Sequence, residues 1–288
     1  MKLDLHIHSV YSDGTFTPER VVDTAIANGI SAISITDHDN VLSYAFAKAH
    51  ADKLACDSGN DVIEIIPGVE VNTLWNGHEV HILGYFMDFE SKPFQDMLNY
   101  QQHARIDQTV KILEQLRKKA GIEIEFDKIK KLVAEGGSIG RPHIAKAIAQ
   151  AGGTSSVLEA YNKYINDQSP VYVARKTVSP HEAVEIIYEA GGIPVIAHPC
   201  DLEKAESLVH ELMNCGLRGI EAYHRKHSPA MVEYYSSMAE GLGLIVTGGS
   251  DFHSPAMNGQ VLMGKNFVPD WVIGELKKEK ARIAIAGG

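Results

Sequence analysis

Leu3-Asp4-Leu5-His6-Ile7-His8-Ser9 decides how the rest of the chain is read. It is a short apolar run with two histidines at its end. In a strand, side chains two residues apart share a face, so His6 and His8 project together, one pleat apart. Two neutral imidazoles placed this way can grip one metal ion. The same arrangement recurs further on: Ile33-Ser34-Ile35-Thr36-Asp37-His38-Asp39, Ile65-Ile66-Pro67-Gly68-Val69-Glu70, Val195-Ile196-Ala197-His198-Pro199, and Ile245-Val246-Thr247-Gly248-Gly249-Ser250-Asp251-Phe252-His253. Each apolar run ends in a group that can bind a cation.

Between these runs lie helices with clear boundaries. Thr17-Pro18 and Ser179-Pro180-His181-Glu182 carry capping hydroxyls followed by proline at the first helical position. Trp75-Asn76-Gly77-His78 reads as a hairpin turn, with His81 on the returning strand. From about residue 92 to 174 the strand signal disappears. Phe94 to Lys119 has helical spacing through Ile106, Val110, Leu113 and Leu116, and shorter helical segments follow over 127–134, 141–150 and 155–164. We read residues 1–91 and 175–288 as one strand–helix domain and 92–174 as an all-helical insertion. The alternation predicts a closed parallel barrel with its chemistry at the strand ends. A last helix from Trp271 to Lys280 is expected to precede a short strand, Arg282 to Ala286.

Net charge is −10, which excludes a globally basic surface for nonspecific nucleic-acid binding, so no stable nucleic-acid partner is expected. Three scattered cysteines form no disulfide framework or zinc-ribbon spacing. No apolar run approaches the ~20 residues of a membrane span. A cleaved leader would remove His6. These features predict a cytoplasmic location and no membrane partner.

His6, His8, Asp13, His38, Glu70, His81, His198, Asp251 and His253 form the candidate ligand set. One strand-end histidine is as readily a packed core imidazole as a ligand. Three carboxylates and several imidazoles in one apolar-walled pocket are costly without compensating cations. Nitrogen and oxygen donors permit manganese, iron, zinc or magnesium. Nine donors are too many for one ion with open positions, so two or three divalent ions are expected. Such clusters acidify bound water and clamp attacking and leaving oxygens, which makes phosphoester hydrolysis the natural chemistry.

These residues resemble the polymerase and histidinol phosphatase (PHP) superfamily of metal-dependent phosphoesterases. The resemblance rests on His6-x-His8, Thr36-Asp37-His38, Glu70, His81, Ala197-His198-Pro199 and Gly249-Ser250-Asp251-Phe252-His253. It implies a distorted (β/α)7 barrel. It also implies one ion on His6, His8, Glu70 and Asp251, a second on Glu70, His81 and His198, and a third on Asp13, His38 and His253. Several relatives have His where this chain has Asp13. Gly140-Arg141-Pro142-His143-Ile144-Ala145, with Pro170-Val171-Tyr172-Val173 and Lys176, is similar to the branch of 3′,5′-nucleotide bisphosphate phosphatases and 5′–3′ exoribonucleases. That similarity implies that the insertion caps the barrel mouth. The substrate it implies is a nucleoside 3′,5′-bisphosphate such as pAp, losing its 3′-phosphate to metal-bound hydroxide, or short single-stranded 5′-phosphorylated RNA.

Arg141 opens a helix and suits a phosphate. His143 either joins it or caps that helix. Arg105 faces substrate or solvent from the long helix, and Lys176 is a phosphate partner or an exposed loop lysine. His224 follows a strand end and is a candidate proton donor to the leaving group, alongside catalytic roles for Asp13 and His38. Two other functions fit the same residues: a histidinol-phosphatase-type phosphomonoesterase, and a noncatalytic metal-stabilised module that binds nucleotide or protein.

Overall fold

The computed structural model describes residues 2–166, 168–265 and 268–286. Its elements run β1 (Lys2–Ile7), α1 (Pro18–Ala27), β2 (Ile30–Ile35), α2 (Leu42–Ser58), β3 (Glu64–Trp75) and β4 (His78–Tyr85). The chain continues through α3 (Lys92–Ala120), α4 (Phe126–Lys130), α5 (Arg141–Gln150) and α6 (Val157–Ala160). It closes with α7 (Pro180–Glu189), β5 (Ile193–Ile196), α8 (Ala205–Met213), β6 (Gly219–His224), α9 (Pro229–Leu242), β7 (Ile245–Gly249) and α10 (Trp271–Ala286). A single turn of π-helix, Tyr161–Ile165, follows α6. No helix among the described residues is long and apolar enough to cross a membrane.

The strands form one seven-stranded sheet in sequence order, β1 to β7. It curls almost shut. Ile7 bridges Phe252, the amide of His8 donates to the Phe252 carbonyl at 2.8 Å, and the amide of Ser250 donates to Asp4 at 2.8 Å. Gly249 permits this closure, because a Cβ there would lie 2.4 Å from the backbone nitrogen of His6. Leu3, Leu5, Val69, Val71, Ile82, Val195, Ile196 and Ile220 fill the centre. Full burial of such a side chain contributes about 1.5–3 kcal/mol.

The expected all-parallel barrel needs correction. β4 runs antiparallel to both β3 and β5, because Asn76 and Gly77, at φ +50° and +83°, reverse the chain in a two-residue hairpin. His81, like Glu70 on β3, therefore reaches the mouth from the interior of its strand, whereas the other candidate ligands arrive from strand ends or the loops that follow them. The predicted final strand is also absent: α10 continues to Ala286, burying Val272, Leu276 and Ile283 along one side.

On α3 the inward stripe differs from the one expected. Ile106 and Val110 are exposed, while Gln101, Arg105, Thr109, Ile112 and Leu116 are buried. The N-terminal part of α3 packs Phe94, Met97 and Leu98 on the barrel core. Ile112 and Leu116 belong to a separate cluster with Ile129, Ile144, Ile148, Tyr164 and Val171. The polar middle of the stripe lies over the barrel mouth.

Candidate active site

β1 delivers His6 and His8, both fully buried. The loop after β1 is tied to the end of β2 by Asp37, which accepts from the Ser9 amide (2.7 Å), the Ser9 hydroxyl (2.6 Å) and the Ser12 hydroxyl (2.6 Å). This brings Asp13 and His38 to the same rim. Glu70, at the middle of β3, points to the centre of the cluster. Its Oε2 lies 3.4 Å from His6 Nε2, 3.2 Å from His8 Nε2 and 2.9 Å from His38 Nδ1. Its Oε1 meets His81 Nδ1 at 2.8 Å and His198 Nε2 at 3.2 Å. Asp251 Oδ1 approaches His8 at 3.4 Å and His253 at 3.3 Å, and Asp13 Oδ1 lies 3.3 Å from His253 Nε2. All nine candidate ligands thus come together. Backbone strain marks the same place, since His198 and Asp251 hold positive φ, as does Asp39, the residue after His38.

Buried polar atoms normally find a partner. Here His6 Nε2, His8 Nε2, His38 Nδ1, Glu70 Oε2 and Asp13 Oδ1 are buried without a hydrogen bond and face one another. This donor set fits divalent cations. The outer nitrogens of four imidazoles support that fit. His6 Nδ1 donates to Glu221 (2.9 Å), His8 Nδ1 to the Ser12 hydroxyl (3.3 Å), His198 Nδ1 to Asp201 (3.1 Å) and His253 Nδ1 to the Asp251 carbonyl (3.0 Å). An acceptor behind Nδ1 leaves the Nε2 lone pair for a cation.

The electrostatics agree. Burial opposes charge on His8 and His198, yet Asp251 and Glu70 raise the first to about 10, and Asp201 and Glu70 raise the second to about 9. Burial pushes Asp13, Glu70 and Asp251 upward, but the surrounding imidazoles hold all three well below the usual carboxylate range. His38 goes the other way, to about 4, because burial dominates there. The acids favour positive charge at the centre, and divalent ions would supply it.

Beside the cluster a cavity of about 110 Å³ is lined by Asp13, His38, His81, Arg105, Arg141 and Arg175, among others. It is smaller than the roughly 300–1,000 Å³ that encloses a drug-sized ligand, so it has room for a phosphate or sugar rather than a whole nucleotide. Arg141 pairs with Glu79 at 2.5 Å. Arg105 is a buried ion-pair residue, not a solvated one: Nε donates to Asp39 Oδ2 at 2.7 Å. His143 does not line this cavity; its Nδ1 accepts from the Gly140 amide at 2.9 Å, the capping alternative. Lys176 is exposed and borders a different cavity with Tyr100 and His103, so its neighbour Arg175 takes the place expected for it. His224 is buried, its Nδ1 accepting from the Lys226 amide at 3.3 Å and its Nε2 lying 3.5 Å from Asp251.

Glu221, Asp37, Asp39, Asn72 and Arg175 were missed at the level of sequence. Glu221 had a signal: a lone acid inside the apolar strand Gly219-Ile220-Glu221-Ala222. Burial pushes its carboxyl up, but His6 and His224 pull it down to about 2.

A barrel closed around clustered imidazoles and carboxylates defines a metal-dependent hydrolase, and comparison with known proteins gives the family. The PHP domain profile matches residues 4–169, more than half of the chain, which therefore belongs to the PHP family of metal-dependent phosphoesterases. A 5′–3′ exoribonuclease from Haemophilus influenzae is 30% identical over 94% of this chain and 98% of its own. A 3′,5′-nucleoside bisphosphate phosphatase from Chromobacterium violaceum is 31% identical over 90% of this chain and 89% of its own. The crystal structure of a metal-dependent phosphoesterase from Bifidobacterium adolescentis superposes with a TM-score of 0.84 at 28% identity, covering 95% of this chain and 94% of that one.

Proposed function

We propose that this phosphoesterase removes the 3′-phosphate of nucleoside 3′,5′-bisphosphates in the cytoplasm and accepts short 5′-phosphorylated RNA at the same site. The observation that carries this reading is the adjacency of the two features above. A group of orphaned metal-type donors opens onto a phosphate-sized cavity lined by three arginines. The similarity to the bisphosphate phosphatase and the exoribonuclease points the same way.

His6, His8, Glu70 and Asp251 would hold one ion, Glu70, His81 and His198 a second, and Asp13, His38 and His253 a third, with manganese the leading candidate. Bound there, such ions supply Lewis acidity and an activated water. The chain's own groups do the rest. Arg141 and Arg175 hold the phosphate that is not cleaved, by charge-assisted hydrogen bonds. Residues 92–174 act as a cap that contributes Arg105 and Arg141 to the mouth. His224 presents Nε2–H, since Nδ1 accepts from the backbone, and offers it as a hydrogen bond to the leaving ribose oxygen, which takes its proton from water.

The test is phosphate release from pAp by manganese-loaded protein, alongside histidinol phosphate and a labelled trinucleotide. Turnover of pAp and trimming of the trinucleotide from its 5′ end are expected. Preference for histidinol phosphate would replace this substrate class with the other, and no turnover of any substrate would leave the noncatalytic module.

A further inference from the structure

Of the five candidate-ligand imidazoles whose outer nitrogen has a partner, four are backed by an acceptor, and His81 is the exception. Its Nε2 lies 2.8 Å from the side-chain nitrogen of Asn72, the residue directly opposite it across the β3–β4 hairpin. The orientation of that amide follows from its other neighbour. Arg105 Nη2 lies 2.7 Å from Asn72 Oδ1, and a guanidinium only donates, so the amide oxygen must face it. The amide NH₂ therefore faces His81, and it too only donates. Nε2 must accept, and the ring's proton sits on Nδ1, where it meets Glu70 Oε1 at 2.8 Å. That is the nitrogen turned toward the cluster.

We infer that the Arg105–Asn72 pair sets which nitrogen of His81 carries its proton, and so holds this imidazole back as a ligand until the Asn72 amide turns over. Turning presents the amide oxygen to Nε2–H and frees the Nδ1 lone pair. It also sets the amide NH₂ against the Arg105 guanidinium, two donors with no acceptor between them. Arg105 cannot step aside freely, because it is also bonded to Asp39 at 2.7 Å and to the Ile139 carbonyl at 3.0 Å. Asn72 and Arg105 are thus positioning residues. Filling of the Glu70–His81–His198 position is linked to the seating of α3 on the barrel. The inference rests on the ligand assignment proposed above but not on the choice of substrate.

The test is ¹⁵N NMR of histidine-labelled, metal-free protein at a pH where free imidazole is neutral. A His81→Asn variant assigns the signal. We expect the His81 proton on Nδ1 in the parent protein. In Asn72→Asp, whose carboxylate still accepts from Arg105 but offers His81 only acceptors, it should sit on Nε2. Calorimetric titration with manganese then reads the consequence. Acceptor backing is worth about 10–100-fold in metal affinity, so Asn72→Asp should tighten one binding step by at least about tenfold. A parent protein with its proton already on Nε2 overturns the amide orientation, and unchanged affinity in Asn72→Asp overturns the link to metal binding. Should Asn72→Asp fail to fold, Asn72→Ala serves instead: both tautomers populated supports the inference, and Nδ1 alone refutes it.

Discussion

The two sides of the centre are built on different rules. On the wall formed by β1, β5, β6 and β7, each ligand-type imidazole has an acceptor behind it: Glu221, Ser12, Asp201 or the Asp251 carbonyl. On the hairpin side, formed by β3, β4 and the overlying α3, His81 is backed by a donor, and the neighbouring cavity is lined with arginines. The wall presents donors that fit cations. In the proposed function the hairpin side receives an anion, and its one imbalanced candidate ligand is tied to the helix that covers it. Among the described carboxylates of the cluster, Glu70 contacts imidazoles on both sides.

Glu70→Gln tests that shared position most severely. It should lower kcat/KM by at least about 10³-fold, the upper part of the range for loss of one transition-state stabiliser, and reduce bound metal measured by elemental analysis. Retained activity would separate the two halves. Glu221→Gln probes the wall alone. It keeps the shape but weakens the acceptor behind His6, so metal affinity should fall about 10–100-fold with circular dichroism unchanged. If affinity held, the contrast with Asn72 would lose its basis. Arg175→Ala probes the hairpin side. Losing a charged hydrogen bond of about 1.5–3 kcal/mol should raise KM for a bisphosphate about tenfold or more in steady-state assays, with metal content constant. Lys176→Ala, one residue on, should change KM by less than about twofold, as surface substitutions do. A larger effect would move the anion site to the neighbouring cavity.

The wall was the more legible half. His6-x-His8, Ala197-His198-Pro199 and Ser250-Asp251-Phe252-His253 announce themselves as polar groups closing apolar runs, and parallel strands bring such ends together without further information. The Trp75–His78 turn was also readable from Asn-Gly. Its consequence, an antiparallel β4 with His81 in its interior, depends on where β5 pairs, which no local pattern encodes. Arg105 looked like an exposed helix position because its partners, Asp39 and Asn72, lie 66 and 33 residues away in the chain. Arg282-Ile283-Ala284-Ile285 alternates like a strand, yet only Ile283 is buried, and it completes a helical stripe with Leu276. A one-residue choice between Arg175 and Lys176 is likewise beyond composition, since both are cations in one loop.

The Arg105–Asp39 pair has a consequence for how such proteins can be recombined. Asp39 is fully buried, and burial is offset by Arg105 and Arg175, which hold its carboxyl below the usual range. A chimera that replaced residues 92–174 with another segment would remove Arg105, which bonds that carboxylate directly, and leave it Arg175 at 3.8 Å. A broken buried pair costs about 3–5 kcal/mol, a large share of the 5–15 kcal/mol by which a typical domain is stable. The segment is therefore not a freely interchangeable part: a graft onto this barrel would have to bring a donor that bonds Asp39 as Arg105 does, or give up the acid as well.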